Sequence, residues 1–98
     1  MLNKDDVLTY LRDSKKDFQQ KYFIDKMGIF GSIARNEITE NSDIDIVVTM
    51  KKPNLLNLSS IREEIKEHFK TDVDIVALWD KMNPRLYNRI QKESIYVW

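Results

Sequence analysis

Two segments of the chain, DIDIVVTM at 43–50 and DVDIVALW at 72–79, repeat one pattern almost residue for residue: acids at alternate positions, then an apolar run. Side chains two apart in a strand point the same way. The pattern therefore predicts two similar strands, each with a wet face at its start and burial on both faces at its end. Between them, after a break at Pro53-Asn54, Leu58, Ile61, Ile65 and Phe69 form one apolar stripe at helical spacing, and Ser60-x-x-Glu63 has the form of a capping box. Upstream, Val7, Leu8, Leu11 and Phe18 predict a helix over 3–21, with Asp5 and Asp6 in the first turn, where the helix dipole favours acids. Residues 22–30, YFIDKMGIF, predict a strand running into a tight turn at Gly31. Asn83-Pro84 opens a helix that reaches Lys92, and IYVW at 95–98 alternates like a short last strand. The order α, β, β, α, β, α, β predicts an α/β fold, a small mixed β-sheet flanked by helices.

Ninety-eight residues is the size of one domain, so residues 1–98 are expected to share a single core. The chain has no cysteine, which removes disulfides and thiolate metal sites and fits a reducing compartment. No apolar run approaches the roughly 18 residues of a membrane span. The start, MLNKDDVLTYLRD, carries acids where a signal peptide would be apolar. Together these predict a soluble, cytoplasmic protein with no membrane partner. Sixteen basic residues balance sixteen acidic ones, so no global field attracts nucleic acid, although a local basic groove stays open. Sparse Gly and Pro and a mixed charge pattern argue against disorder.

Both glycines of the chain stand at the front of GIFGSIARNEITENSDID, residues 28–45. At its far end Asp43 and Asp45 share one face of a strand, as do Asp72 and Asp74 on the matching strand. If these strands are neighbours, carboxylates from both converge at one end of the sheet. Three carboxylates so close would raise one another's pKa unless a divalent cation lay among them. Hard oxygen ligands without histidine or cysteine favour Mg²⁺ or Mn²⁺ over zinc, and magnesium takes its remaining ligands from phosphates. Gly31 would let the backbone approach a phosphate, Ser32 adds a hydroxyl donor, and a helix starting near Ser32 would aim free N–H groups at the anion. Taken singly, an Asp-x-Asp is more often a solvated strand edge, and a Gly-Ser pair an ordinary turn. Their conjunction at this spacing is much less common.

IFGSIARNEITENSDIDIVV resembles the signature of the nucleotidyltransferase superfamily related to DNA polymerase β, and more closely that of the minimal nucleotidyltransferases, the MNT or MntA-like proteins. The similarity continues through VDIV at 73–76 and NPRLYNRIQKESIYVW at 83–98. Asn36 stands where that family usually has glycine, and asparagine tolerates a left-handed backbone better than most residues. The resemblance implies a polymerase β-like fold. It makes Gly31 and Ser32 binders of a nucleotide triphosphate, Asp43 and Asp45 metal ligands, and Asp74 the third catalytic carboxylate on the adjoining strand. Two Mg²⁺ ions, or Mn²⁺, would clamp the attacking and leaving oxygens of an in-line displacement on ATP. Arg35 would fork onto a phosphate or the acceptor, or else pair with Glu37 or Glu40. Asp72 reads as strand-entry solvation and His68 as a surface or boundary residue. Trp79, Tyr96 and Trp98 read as core or rim, with a partner surface as the alternative.

Minimal nucleotidyltransferases act beside HEPN-domain proteins as toxin–antitoxin pairs in which the HEPN protein is an RNase. The resemblance therefore implies an antitoxin that transfers AMP from ATP to a tyrosine hydroxyl of a HEPN toxin. Two other readings stay open: an antitoxin that works by binding alone, and a nucleotidyltransferase acting on a small-molecule or nucleic-acid hydroxyl. The neutral charge balance counts against direct nucleic-acid binding.

Overall fold

A computed structural model describes residues 2–98. The elements run α1 (Lys4–Asp13), α2 (Lys15–Tyr22), β1 (Lys26–Phe30), α3 (Gly31–Ala34), β2 (Ile44–Thr49), α4 (Leu55–Phe69), β3 (Val73–Ala77), α5 (Pro84–Glu93) and β4 (Ile95–Tyr96). The four strands form one sheet in the order β3-β2-β1-β4. β1 lies antiparallel to β2 and β4, whereas β2 and β3 run parallel and are joined through α4, the kind of crossover a parallel pair requires. The sheet is mixed, as the element order predicted. Among the described residues no helix is long and apolar enough to cross a membrane.

Period-two alternation divides the sheet into two faces. Met27, Ile29, Ile44, Ile46, Val48 and Val73 point into the larger core and meet Val7, Leu11, Phe18, Ile61 and Ile65 from α1, α2 and α4. Phe30 and Val47 point the other way, where Ile90 of α5 covers them with help from Val76, Leu78, Met82 and Leu86. By the same alternation Asp45 shares the α5 face with Val47, and Asp74 shares it with Val76. The acids thus lie on the thinly covered side of the sheet, away from the main core.

Local chemistry moves several boundaries from their expected places. The helix expected over 3–21 is two helices divided at Ser14, whose backbone stays near the helical region (φ −87°, ψ −2°) while its hydroxyl donates back to the Tyr10 carbonyl (2.8 Å), a bond that bends helices, and a second helix starts at Lys15. The second helix runs to Tyr22, whose hydroxyl donates to Glu64 (3.0 Å), and left-handed Phe23 (φ 58°) ends it, so β1 starts at Lys26 rather than at residue 22. Ser60-x-x-Glu63 is not a capping box. Asn54 caps α4 instead, accepting from the N–H groups of Leu56 (2.9 Å) and Asn57 (3.1 Å), and Ser60 lies inside the helix with its hydroxyl on the Leu56 carbonyl. Asn83 and Pro84 open α5 as expected, with the Asn83 side chain accepting from Arg85 and Leu86.

The short strand β4 pairs with Gly28 and Ile29. A Cβ on Gly28 would stand 2.5 Å from the Ile95 carbonyl oxygen and 2.9 Å from the Tyr96 Cα, so this glycine is what lets the last strand close on the sheet. Trp98 anchors the chain end by donating from its indole N–H to the Leu11 carbonyl (2.9 Å). His68 stacks on Tyr10 with ring centres 4.2 Å apart and is exposed, a surface residue, one of the two expected placements.

Candidate active site at the glycine turn

Strand register lines up the site. In the antiparallel β1–β2 ladder Phe30 lies opposite Asp45, and in the parallel β2–β3 ladder Asp45 lies opposite Asp74. A row therefore runs across three strands, from the residue before Gly31, through Asp45, to Asp74. Gly31 follows Phe30 with φ +76°, a conformation that L side chains rarely adopt. A Cβ at that position would collide with the Asp45 carboxylate, whose Cγ would lie 3.0 Å away. Gly31 is thus required twice, once by its backbone and once by the carboxylate leaning over it.

The loop from the turn back to β2 folds over itself. The Glu37 N–H donates to the Ser32 carbonyl (2.8 Å), and Asn36 takes the left-handed conformation (φ 59°), which asparagine permits. Ser42 Oγ accepts from the Thr39 N–H (2.8 Å) and lies 3.4 Å from Ser32 Oγ, so the two ends of the loop meet beside the turn. The hydroxyl of Ser32 remains half-exposed and faces that junction.

Asp43 precedes β2 and is exposed, Asp45 is half-buried within it, and Asp74 is exposed on β3. Burial raises the Asp45 carboxyl pKa above the ordinary range. The neighbouring charge of Asp74, and more weakly that of Asp43, raise it further, while Arg89 and Arg35 act against the rise. Asp74 and Asp43 therefore both lie within electrostatic reach of Asp45, although among the described residues no three acids or histidines close into a ready-made cation cage. The donor set, hard oxygens without nitrogen or sulfur ligands, suits a magnesium-type ion. Asp72 stands outside the row: it lies just before β3 and pairs with Lys66 (3.5 Å).

Arg35 lies at the end of α3 and bonds Glu37 (3.1 Å), one of the two partners expected for it, and also Glu93 (3.0 Å). Sequence reasoning did not include Glu93 or Arg89. Glu93 Oε2 accepts the Gly31 N–H (3.2 Å), Arg35 Nη1 (3.0 Å) and Arg89 Nε (3.3 Å). Arg89 lies over the Phe30 ring, its Cζ 5.8 Å from the ring centre. Burial would raise the Glu93 carboxyl, but Arg35, Arg89 and the Gly31 amide together hold it below the usual range. The i, i+4 spacing of Arg89 and Glu93 was readable as a helix pair. Its position against Gly31, 62 residues away in the chain, was not.

The fold sets a pair of acid-bearing strands beside a tight glycine turn. A family model of the nucleotidyltransferase domain matches residues 11–97, and the chain belongs to that family. Its relatives include a Methanocaldococcus jannaschii protein provisionally named protein adenylyltransferase MJ0126, 34% identical over 93 residues, which are 94% of this chain and 95% of the relative. Protein adenylyltransferase MntA of Thermococcus cleftensis is 28% identical over 98 residues, 99% of this chain and 98% of its own. A solved structure provisionally described as a minimal nucleotidyltransferase shares the fold with TM-score 0.73 at 26% identity, over 96% of this chain and 95% of that one. So does a toxin–antitoxin structure solved with AMP-PNP (TM-score 0.72, 22% identity, 99% of this chain and 73% of that one). A complex of a tri-AMPylated Shewanella oneidensis HEPN toxin with an MNT antitoxin is also similar in fold (TM-score 0.66, 16% identity, 93% and 71%).

Proposed function

We propose that residues 1–98 form one nucleotidyltransferase domain, the antitoxin of a cytoplasmic HEPN/MNT pair, which transfers AMP from ATP to a tyrosine hydroxyl of its HEPN RNase partner. The observation that carries this reading is the Phe30–Asp45–Asp74 row, whose Asp45 carboxylate leans over Gly31 so that the glycine turn and the acidic strands meet. The names of the relatives and the AMP-PNP-bound and AMPylated complexes support the same chemistry.

In this mechanism Gly31 and Ser32 receive the triphosphate, Ser32 offering its hydroxyl and the turn at Gly31 its backbone N–H. Arg35 forks onto a phosphate oxygen. Two magnesium ions held by Asp43, Asp45 and Asp74 would neutralise charge at the α-phosphate and bring acceptor and nucleotide into line. The tyrosine oxygen bonds to the α-phosphorus, the bond from that phosphorus to the β-phosphate oxygen breaks, and pyrophosphate leaves with the electron pair. Asp74 takes up the tyrosine proton in this reading, which its exposure beside Asp45 supports.

A binding-only antitoxin is the second reading, favoured by Leu55, Leu56 and Trp79, large apolar residues left 81%, 79% and 53% exposed. Incubation with α-labelled ATP, Mg²⁺ and the HEPN partner separates the two. Label appearing on the partner, and lost in the Asp43→Ala, Asp45→Ala double variant, is the expected result. Toxin neutralisation that survives the double substitution without any label transfer overturns catalysis in favour of binding.

A further inference from the structure

One oxygen atom, Glu93 Oε2, accepts three N–H donors that come from separate parts of the chain: the Gly31 amide, Arg35 at the end of α3 and Arg89 on α5. Two of the three donors carry full positive charge, and charge-assisted bonds of this kind are the strong ones. The donors converge at the turn where a nucleotide's phosphates are expected, in a chain with no overall charge to spare. Such a cradle fits an oxyanion, and a phosphate oxygen meets its requirements as well as a carboxylate does.

Accepting the nucleotidyltransferase reading above, we propose that Glu93 holds the place of a substrate phosphate oxygen in the nucleotide-free chain, and that the arriving triphosphate displaces it and takes Arg89 as a second guanidinium beside Arg35. Three features allow the exchange. Glu93 is the last residue of α5, followed by Ser94 in an extended conformation, so its side chain can leave the cradle without unwinding a helix interior. Arg89 is pre-aimed, because its guanidinium rests over Phe30, immediately before the glycine turn, and its charge already acts on Asp45. Glu93 and Arg35 keep 22% and 36% of their side-chain surface accessible, so the network opens to solvent rather than being sealed in the core. While Glu93 stays, its negative charge competes with the phosphates for the same donors. After it leaves, two guanidiniums and the Gly31 amide face the β- and γ-phosphates.

The test is equilibrium binding of ATP and of AMP, each with Mg²⁺, to the full chain and to its Glu93→Gln, Arg89→Ala and Arg89→Lys variants, with a thermal melt of each. Glu93→Gln keeps the shape and removes the competing charge, so ATP binding tightens, by about threefold to fivefold at this screened, partly exposed site. Arg89→Ala weakens ATP binding by about tenfold or more, as expected for loss of a charge-assisted phosphate bond. Arg89→Lys recovers part of that loss, and AMP, lacking the outer phosphates, responds to none of the three. Glu93→Gln weakening ATP binding would show that Glu93 braces the turn instead, and would overturn the proposal. So would Arg89→Ala with unchanged ATP affinity and an unchanged melt. A folded wild-type chain that binds no ATP would sink the adenylyltransferase reading together with this one. A wild type that binds ATP and transfers label, with variants indistinguishable from it, would sink this one alone.

Discussion

Gly31 and Asp45 compete for one small volume: the Asp45 carboxylate fills the space where a side chain at position 31 would stand. Gly31→Ala therefore meets both a left-handed backbone and a collision, and is expected to cost about 2 kcal/mol of stability and most of the transferase activity. Removing the carboxylate should relieve only the collision. In a double-mutant cycle Gly31→Ala, Asp45→Ala is expected to be more stable than the sum of the single effects, by about 1 kcal/mol in chemical denaturation. Strict additivity would show that the two residues do not share that space.

Gly28 is expected to matter for the fold and not for the chemistry. Its missing Cβ admits the backbone of β4 at Ile95 and Tyr96, so Gly28→Ala should loosen that strand and lower stability by about 1–3 kcal/mol, read by thermal melting. The folded fraction should bind ATP as the wild type does.

Asp74 and Asp45 are register partners on neighbouring parallel strands, and the charge of Asp74 raises the Asp45 carboxyl pKa. In magnesium-free buffer Asp74→Asn is therefore expected to leave stability unchanged or raise it by up to about 1 kcal/mol, because it removes a like charge at a screened site. Added Mg²⁺ should raise the melting midpoint of the wild type, as any ligand of the folded state does, and raise that of the variant much less. Label transfer should fall by at least about a hundredfold. A variant that unfolds would instead mark Asp74 as structural.

The Glu93 carboxyl titrates below its unfolded value, because the two arginines and the Gly31 amide outweigh its burial. For a depressed acid the unfolded state holds more protons in the titration range, so stability rises with pH there. The contribution is complete above the ordinary glutamate range and disappears as pH falls through the lowered value. Denaturation midpoints measured from neutral to acid pH should thus show a falling component that Glu93→Gln lacks.

The strands were the most readable part of the chain, because acids alternating with Val and Ile leave little choice of element or facing. The alternation also put Asp43 and Asp45 on one side. Their meeting with the glycine turn rested on a resemblance, and the β1–β2 register supplies its physical form. Helix ends were harder. Ser14 carries no mark that separates an interior serine from one that divides two helices, and Asn54 wins the cap from Ser60 only through the local path of the chain. Arg89 and Glu93 were out of reach for another reason: α5 looks like an ordinary surface helix until it is laid across the second face of the sheet, and nothing local says which residues its charges will meet.

β3 is an edge strand of the sheet, bonded to β2 on one side only. Asp74 consequently stands at a margin, while the glycine turn lies toward the interior of the same face. In the proposed transfer, donor and acceptor approach from different directions, the nucleotide over the middle of the sheet and the accepting hydroxyl from its open border. A bulky acceptor then meets Asp74 at an exposed strand edge. For the proposed acceptor, a folded protein, this means that one side chain can be presented at the rim and withdrawn.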